Sequence, residues 1–345
     1  MANKNLKIIK GNKENEMKCI ACESRNIKLI ERIDTELFIN KFIDERKCDL
    51  KSIKHIKKIL PCHYEIYQCN CCGLTISKPM KGGTAEFYDI VYKFMPRTGI
   101  RWEFGEFKKD NADKCRLLDI GCGDGSFVMY ANSLGIEAIG IDFNSTRIEI
   151  EKTINDKLRN IDLKNLSDYL AKLKNIDIYT MWHVFEHLED PVLIMKCLQE
   201  RSKEGAKIFL SVPSDKFYMS NKSEMPILNY PPHHLTRWTP LALEKIGKRC
   251  GWNLVKTKYE PVNGALKTYA RRMVTYTVRN KGGVFEEIKR LKTQGKISGS
   301  VLSPKNDDYP VNMLGKIISR FLYYLLLLDG KKYTGMSLYA EFRKI

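Results

Sequence analysis

A glycine-rich turn between a strand-like and a helix-like segment limits this chain to a small number of folds. Residues 116–120 are apolar and strand-like, and the turn that follows holds Gly121, Gly123 and Gly125 before a helical pattern begins. Glycines let the chain turn sharply and let backbone N–H groups approach a ligand at the N-terminus of a helix. In this context the motif predicts a ligand-binding turn at the carboxyl end of a parallel strand.

Short strand-like runs alternate with helix-like runs on either side of the turn. This alternation is typical of an α/β fold in which helices cover a mostly parallel sheet. The predicted strands are residues 116–120, 137–142, 159–163, 177–184, 206–212, 252–260 and 336–343, and the predicted helices are 125–134, 145–157, 191–201 and 240–250.

Two acidic residues beside the turn indicate the kind of ligand that it binds. Asp119 comes directly before the glycines, where a carboxylate repels phosphate and attracts an ammonium or sulfonium group. Asp142 ends the second strand about twenty residues later, where it can accept hydrogen bonds from ribose hydroxyls. The glycine spacing also differs from that of a dinucleotide site, so the sequence predicts a nucleoside cofactor that carries a positive charge.

These motifs resemble those of the class I S-adenosylmethionine-dependent methyltransferases, whose first motif reads D-x-G-x-G-x-G. The resemblance extends over about residues 85–260 and includes Ile139–Asp142, Asp177–His187 and Ala206–Pro213. It implies a Rossmann-like, seven-stranded methyltransferase sheet whose last strand is antiparallel. It also implies that S-adenosylmethionine is bound by Asp119, Gly121, Cys122, Gly123, Gly125, Asp142, Phe143, Asp162, Met181 and Trp182, with Asp168 as an alternative to Asp162.

Four histidines lie in two short motifs, His183-Val-Phe-Glu-His187 and Pro231-Pro-His233-His234. The first motif follows the fourth strand at its carboxyl end, where ligands bind in open α/β sheets. Because histidine titrates near neutral pH, each of the four can remove a proton from an acceptor. His183, His187, His233 and His234 are therefore catalytic candidates, although structural roles explain them equally well, and His183, Glu186, His187 and His234 also form a mixed set of metal ligands.

Two C-x-x-C turns, Cys19–Cys22 and Cys69–Cys72, lie near the two ends of the first 80 residues. Four thiolates at this spacing match a tetrahedral structural zinc site. The 46 intervening residues exceed the usual length in compact zinc fingers and must form an excursion. We expect Zn²⁺ to be bound by Cys19, Cys22, Cys69 and Cys72, with Cys48, Cys62, His63 and Cys71 as spare candidates.

The pattern divides the chain into five parts. They are a zinc-binding unit (1–80), an aromatic connector (81–113), an S-adenosylmethionine-binding core (114–261), a helical C-terminal insertion (262–335) and the final core strand (336–345). This combination resembles bacterial methyltransferases of sugar and natural-product pathways.

The basic surplus of the chain lies in its flanks. The formal net charge is +18, of which residues 1–110 carry +7, residues 111–261 carry +1 and residues 262–345 carry +10. A basic flank attracts RNA, an anionic membrane surface or a phosphorylated substrate, although Lys-rich solubility explains the surplus equally well. The insertion also suits a homodimer contact or a peripheral contact with a membrane.

The features that bear on location point to the cytoplasm. The first 18 residues are polar and rich in Lys, unlike a secretory signal, so the eleven cysteines are expected to be reduced thiols or metal ligands. The longest apolar run, Phe321–Leu328, is too short to cross a bilayer, which requires about 20 residues in a helix. We therefore expect a cytoplasmic protein with no transmembrane segment.

Two enzymatic functions are consistent with these features. The first is an S-adenosylmethionine-dependent methyltransferase that uses a histidine base on a small, sugar-like, lipid-linked or nucleotide-linked acceptor, at an oxygen or a carbon atom. The alternative is a zinc-containing RNA methyltransferase whose basic flanks bind the phosphate backbone. A third hypothesis, a scaffold that has lost the cofactor, is disfavoured by the intact Asp119, glycines and Asp142.

Overall fold

The computed structural model describes residues 17–36, 38–40, 60–93, 101–110, 115–144, 148, 156–173, 175–216, 229–261 and 335–345. The strands are β1 (Ile27–Asp34), β2 (His63–Cys69), β3 (Thr75–Lys78), β4 (Arg116–Ile120), β5 (Glu137–Asp142), β6 (Leu158–Asn160), β7 (Ile178–Trp182), β8 (Lys207–Pro213), β9 (Thr236–Arg237), β10 (Trp252–Tyr259) and β11 (Ser337–Lys344). The helices are α1 (Ala85–Lys93), α2 (Trp102–Asp110), α3 (Ser126–Ser133), α4 (Leu166–Lys172), α5 (Pro191–Arg201) and α6 (Pro240–Arg249), and short 3-10 turns span Leu163–Asn165 and Phe185–His187.

The larger sheet has seven strands in the order β10-β11-β8-β7-β4-β5-β6. The pairs β4–β5, β4–β7, β5–β6 and β7–β8 are parallel. Strand β11 is antiparallel to both of its neighbours, β10 and β8. The predicted Rossmann-like sheet, mostly parallel with an antiparallel last strand, is confirmed.

The central strands contain few polar residues because helices cover the sheet. All five residues of β7 are buried, and four of the five in β4 are buried. Near-continuous apolar strands of this kind are expected where both faces of a parallel sheet are covered. Strands β5 and β7 flank β4 on opposite sides, so the chain changes direction across the sheet at β4. A crevice at the carboxyl ends of strands beside such a switch point is where open α/β sheets bind ligands.

Helices α5 and α6 begin at strong capping signals. The side chain of Asp190 accepts a hydrogen bond from the backbone N–H of Leu193 at the start of α5. Thr239 caps α6 in the same way through the N–H of Ala242. Each cap is followed directly by proline, which favours the first helical position.

Helix α2 is attached to the sheet by aromatic side chains of the predicted connector. The ring of Phe104 lies 4.9 Å from that of Phe127, and the ring of Phe107 lies 5.2 Å from that of Phe209. Phe107 and Phe209 are fully buried. This packing brings the polar side chains of α2 close to the carboxyl edge of the sheet.

The smaller sheet has four strands in the order β1-β2-β3-β9. Its first three strands come from the cysteine-bearing unit, but β9 comes from the segment after β8 and pairs through Ile76 with Thr236. The Thr239 hydroxyl also donates a hydrogen bond to the carbonyl of Cys72 at 2.6 Å. The cysteine-bearing unit is therefore joined by backbone pairing to the segment between β8 and α6.

Two predicted strand boundaries are wrong for local reasons. The weak strand predicted at residues 159–163 is shorter and earlier, because Asp162 accepts a hydrogen bond from the N–H of Lys164 and begins a 3-10 turn. The strand predicted to reach residue 184 ends at Trp182, because His183 has a φ of +55° and leaves the extended conformation.

Some sequence predictions lie outside the described residues. These are the helix at 145–157 except for residues 148, 156 and 157, and the insertion at 262–335 except for residue 335. Among the described residues, no helix is long and apolar enough to cross a membrane.

Candidate functional site

The glycine-rich turn after β4 has the conformation that the sequence predicts. Gly121, Gly123 and Gly125 all have positive φ angles, of +72°, +56° and +70°. The N–H of Gly121 donates to the carbonyl of Ile141 at 2.8 Å, which holds the turn against the end of β5. A Cβ atom on Gly121 would lie only 2.5 Å from Cγ2 of Val184, so space as well as conformation requires glycine there.

The carboxylate of Asp142 is fixed beside this turn. Its Oδ2 accepts a hydrogen bond from the N–H of Gly123 at 3.0 Å, and its Oδ1 accepts one from the N–H of Asn144 at 2.9 Å. The Asn144 side chain in turn donates to Asp89 on α1 at 2.6 Å. The acid that ends β5 and the glycine turn that follows β4 therefore form one structural unit.

Asp119 lies inside the protein at the end of β4, with only 2% of its surface exposed. Burial raises the pKa of its carboxyl group to about 8, although the hydrogen bond that Thr180 donates at 2.7 Å acts in the opposite direction. The side chain is therefore largely protonated at neutral pH. A cation placed next to it would favour the ionised form and lower this pKa.

The other predicted cofactor contacts differ in how accessible they are. Met181 is fully buried, and Trp182 and Cys122 are nearly so. Phe143 is exposed and packs edge-on against Tyr88. The carboxylate of Asp162 caps the 3-10 turn that follows β6. The indole Nε1 of Trp182 is buried and has no hydrogen-bond partner among the described residues.

His183 occupies the end of β7 and contacts two carboxylates. Its Nε2 lies 2.9 Å from Oε1 of Glu103 and 3.0 Å from Oγ of Ser337, and its Nδ1 lies 3.3 Å from Oε1 of Glu186. Burial by itself lowers the pKa of His183, but the hydrogen bonds to Glu103 and Glu186 outweigh it and raise the pKa to about 9. Burial also opposes ionisation of Glu103, yet His183 lowers the pKa of that carboxyl to about 2. The pair is therefore an ion pair at neutral pH.

The three remaining candidate histidines lie together on the other side of Glu186. The ring centroids of His187 and His233 are 4.5 Å apart, those of His187 and His234 are 4.9 Å apart, and those of His233 and His234 are 4.6 Å apart. Oε1 of Glu186 lies 3.9 Å from Nε2 of both His187 and His234. Burial, together with the neighbouring histidines, holds the pKa of His234 well below its usual range. We call His187, His233 and His234 the histidine cluster.

A family model described as a methyltransferase domain matches residues 94–257 of the chain. The matched residues, a little less than half of the chain, are similar to a methyltransferase domain. The matched range includes the glycine turn, Asp119, Asp142 and all four candidate histidines.

Curated relatives of the methyltransferase domain match over about a hundred residues. The ubiquinone biosynthesis O-methyltransferase of Acinetobacter baylyi is 29% identical over 103 residues, which are 28% of this chain and 42% of the relative. The protein of the same name from Brucella anthropi is 33% identical over 103 residues, which are 29% of this chain and 41% of the relative. The chain thus spans less than half the length of these curated relatives.

Solved structures match a larger part of the chain at low sequence identity. A SAM dependent methyltransferase from Archaeoglobus fulgidus covers 76% of this chain and 95% of its own length, with 18% identity and a TM-score of 0.43.

The four predicted zinc ligands lie together outside the residues that the family model matches. The sulfur atoms of Cys19 and Cys72 are 3.5 Å apart, as are those of Cys22 and Cys69, and all four lie within 4.8 Å of one another. Gly73 has a φ of +77° and donates its N–H to the carbonyl of Cys69, which closes the second turn. The spare candidates Cys62, His63 and Cys71 are exposed and lie outside this four-cysteine cluster, and Cys48 falls outside the described residues.

Sequence reasoning did not identify Glu103 as a residue of the site. The alternating aromatic residues of α2 indicate a packing helix, and Glu103 stands between Trp102 and Phe104 in that pattern. The carboxylate is nevertheless only 3% exposed and accepts a hydrogen bond from Ser337 at 2.8 Å. An acidic residue inside an aromatic helix is the only signal that the sequence offers.

Proposed function

We propose that this chain is an S-adenosylmethionine-dependent methyltransferase that transfers a methyl group to an oxygen or a carbon atom of a small acceptor. The observation that carries the proposal is the unit formed by the glycine turn and Asp142, located where β4 and β5 end. It lies within the residues that match a methyltransferase domain. The relatives named above act in ubiquinone biosynthesis, and this favours an oxygen atom as the methyl acceptor.

The residues present fit this cofactor chemically. The Asp142 carboxylate is held by backbone N–H groups at a position suited to ribose hydroxyls. A cationic group beside the buried Asp119 would lower the pKa of its carboxyl group and favour the ionised form. Nε1 of Trp182 has no hydrogen-bond partner in the described part of the chain. Polar atoms of a ligand in the crevice would supply an acceptor for its N–H.

S-adenosylmethionine supplies an electrophilic methyl group when it is bound. The protein must then hold the acceptor atom in line and remove its proton. We assign the base to His183. Its Nε2 keeps a proton that it donates to Glu103, and its Nδ1, which makes the longer contact of 3.3 Å with Glu186, is the nitrogen that must lose its proton before it can accept one from the acceptor. Because this pair raises the pKa of His183 to about 9, the neutral imidazole that accepts a proton becomes the main form only in alkaline solution.

Glu103 acts in this proposal as a positioning residue. Its carboxylate is fixed by the hydroxyl of Ser337 and does not depend on solvent for a partner. It orients the imidazole of His183 and stabilises the charge that appears when His183 accepts a proton. The strained φ of His183 directs the side chain away from the strand and toward Glu103.

We also propose that the four-cysteine cluster binds a structural Zn²⁺. A tetrahedral site with Zn–S bonds of about 2.3 Å places its sulfur atoms about 3.8 Å apart, close to the spacing observed here. Backbone N–H groups of Ala21 and Cys22 donate to the Cys19 sulfur, as hydrogen bonds to a thiolate do. Since β3 begins three residues after Cys72 and pairs with β9, zinc would stabilise the pairing of the cysteine-bearing unit with the segment between β8 and α6.

Methyl transfer from a labelled cofactor tests the proposed activity. Purified full-length protein should transfer label to a pool of small hydroxyl-bearing acceptors, including nucleotide-linked and lipid-linked sugars, and the Asp142→Ala variant should not. Glu137→Ala is the matched control, because Glu137 begins the same strand and its side chain forms an exposed ion pair with Arg116. If RNA became labelled, and if the affinity of the protein for RNA fell steeply with rising salt concentration, the result would instead support the alternative function as an RNA methyltransferase.

A further inference from the structure

The histidine cluster lies at a junction between two loops that the backbone holds together. The N–H of Leu235 donates to the carbonyl of Glu186 at 2.9 Å. Nδ1 of His187 donates to the carbonyl of His233. One histidine after β7 is thus held against two histidines that precede β9, and a ligand atom from each of the three lies within 4.8 Å of the other two.

The hydrogen bond of His187 determines which of its nitrogens faces the cluster. Because Nδ1 carries a proton toward the carbonyl of His233, the neutral ring has its lone pair on Nε2. This Nε2 lies 3.9 Å from Oε1 of Glu186. Histidines that bind metals commonly donate their other N–H to a backbone carbonyl, which fixes the ring as it is fixed here.

The carboxylate of Glu186 is only partly compensated. The residue is completely buried, and Oε1 is shared among His183, His187 and His234. Oε2 is buried and has no hydrogen-bond partner in the part of the chain that the structure describes. A buried carboxylate is costly unless it is paired or coordinates a cation. Among the described residues, His183 is the one charged partner within hydrogen-bond distance of Glu186, and it contacts only one of the two carboxylate oxygens.

We propose that His187, His233 and His234 bind a divalent transition-metal ion, with the Glu186 carboxylate as an additional oxygen ligand. Three imidazoles and one carboxylate favour zinc-like ions over Mg²⁺ or Ca²⁺, which prefer oxygen ligands alone. Zn–N bonds of about 2.0 Å in a tetrahedral site require ligand nitrogens about 3.3 Å apart, so the three rings close onto the ion by small rotations. His183 is not a ligand, because its ring nitrogens are directed to Glu103 and Glu186.

The site is distinct from the four-cysteine cluster and lies near the predicted cofactor crevice. The ring of Tyr88 lies 5.8 Å from both His187 and His233 and 5.6 Å from Phe143, which follows Asp142 directly. One aromatic ring therefore separates the proposed ion from the predicted ribose site. The proposal for the ion rests on the ligand geometry and does not require that the chain transfers methyl groups.

Cobalt substitution tests this site without any use of cofactor or acceptor. The full-length protein is produced in zinc-depleted medium supplemented with Co²⁺, gel-filtered and examined by absorption spectroscopy and metal analysis. We expect weak visible bands of Co²⁺ with nitrogen and oxygen ligands, in addition to any intense near-ultraviolet sulfur-to-cobalt band from the cysteines. Cobalt bound by nitrogen and oxygen absorbs differently from cobalt bound by sulfur. The result for the histidine cluster therefore does not depend on whether the cysteines bind metal.

Variants assign the nitrogen-ligand signal to the cluster. The double variant His233→Ala/His234→Ala should lose it and one equivalent of metal, whereas His63→Ala, which removes an exposed histidine from β2, should retain both. If the double variant fails to fold by its melting curve, the single variant His234→Asn provides the same comparison. The metal site would be refuted if wild-type protein showed no cobalt bands from nitrogen ligands, or if these bands persisted in a folded cluster variant. Neither result would contradict the methyltransferase proposal.

Discussion

The imidazole of His183, at the end of β7, lies 2.9 Å from the carboxylate of Glu103 on α2, which is 80 residues earlier in the chain. The contact joins the predicted aromatic connector to the carboxyl edge of the sheet. It also determines the charge of the histidine, since the pKa of His183 is raised to about 9 and that of Glu103 is lowered to about 2. The first two predictions concern this ion pair.

Glu103→Gln should shift the pH dependence of methyl transfer. Removing a negative charge that lies beside an imidazolium lowers the pKa of the histidine by about one to three units. The alkaline rise in kcat/KM should therefore move to lower pH by at least about one unit, as a pH–rate profile would show. Glu106→Gln is the control, because Glu106 is equally buried on the same helix but pairs with Lys109 and Lys258. Identical profiles for wild type and Glu103→Gln would refute the positioning role.

The same ion pair should make stability depend on pH. A histidine whose folded pKa lies above its unfolded value of 6.5 contributes stability that is fully present below pH 6.5 and is lost as the pH rises through about 9. Over that window wild type should lose about 1 to 3 kcal/mol more unfolding free energy than His183→Asn. Asn is chosen because it tolerates the positive φ at this position. Urea denaturation of both proteins at pH 6.5 and 9 measures the difference, and parallel losses would contradict the ion pair.

Asp119→Asn should stabilise the cofactor-free protein while it abolishes cofactor binding. Because the folded pKa of Asp119 is raised to about 8, its ionisation costs stability as the pH rises from its unfolded value of 3.8 toward 8. The amide removes this cost and still accepts the hydrogen bond from Thr180. At pH 8 the unfolding free energy should increase by about 1 to 3 kcal/mol in denaturant titrations. A destabilised Asp119→Asn protein would show that the carboxylate is compensated by something else.

Gly121→Ala should destabilise the protein more than Gly205→Ala. Both glycines have φ angles near +70°, but a Cβ on Gly121 meets Val184 at 2.5 Å, whereas a Cβ on Gly205 meets nothing within 4 Å. We expect a loss of about 2 to 4 kcal/mol for Gly121→Ala, and about 1 kcal/mol for Gly205→Ala, which has only the backbone strain. Thermal unfolding compares the two variants. Equal losses would mean that Val184 does not pack against the turn.

Local spacing is sufficient to predict the parts of the site that lie next to strand ends. The glycine turn follows β4 and Asp142 ends β5, and the apolar runs of both strands are evident in the sequence. Parallel pairing of β4 with β5 then brings the turn and Asp142 together. The position of Glu103 is not predictable in this way, because its partner is selected by the packing of α2 and not by any neighbour in sequence.

The pairing of β9 with β3 is likewise not predictable from local sequence patterns. Strand β9 is only two residues long and pairs with β3, more than 150 residues away, so no periodic pattern marks it. His183 and the histidine cluster were predicted as one group of candidates. In the structure His183 and the histidine cluster contact Glu186 from different sides. This separation depends on the direction of the His183 side chain, which the positive φ of that residue changes.

Isothermal titration of the full-length protein with S-adenosylmethionine measures binding at the glycine turn and Asp142. We expect one site per chain for wild type and for Glu137→Ala, and at least about tenfold weaker binding for Asp142→Ala, since a hydrogen bond to a charged group is worth about 1.5 to 3 kcal/mol. No binding to the folded wild-type protein, or equal affinity for wild type and Asp142→Ala, would contradict the proposed cofactor site.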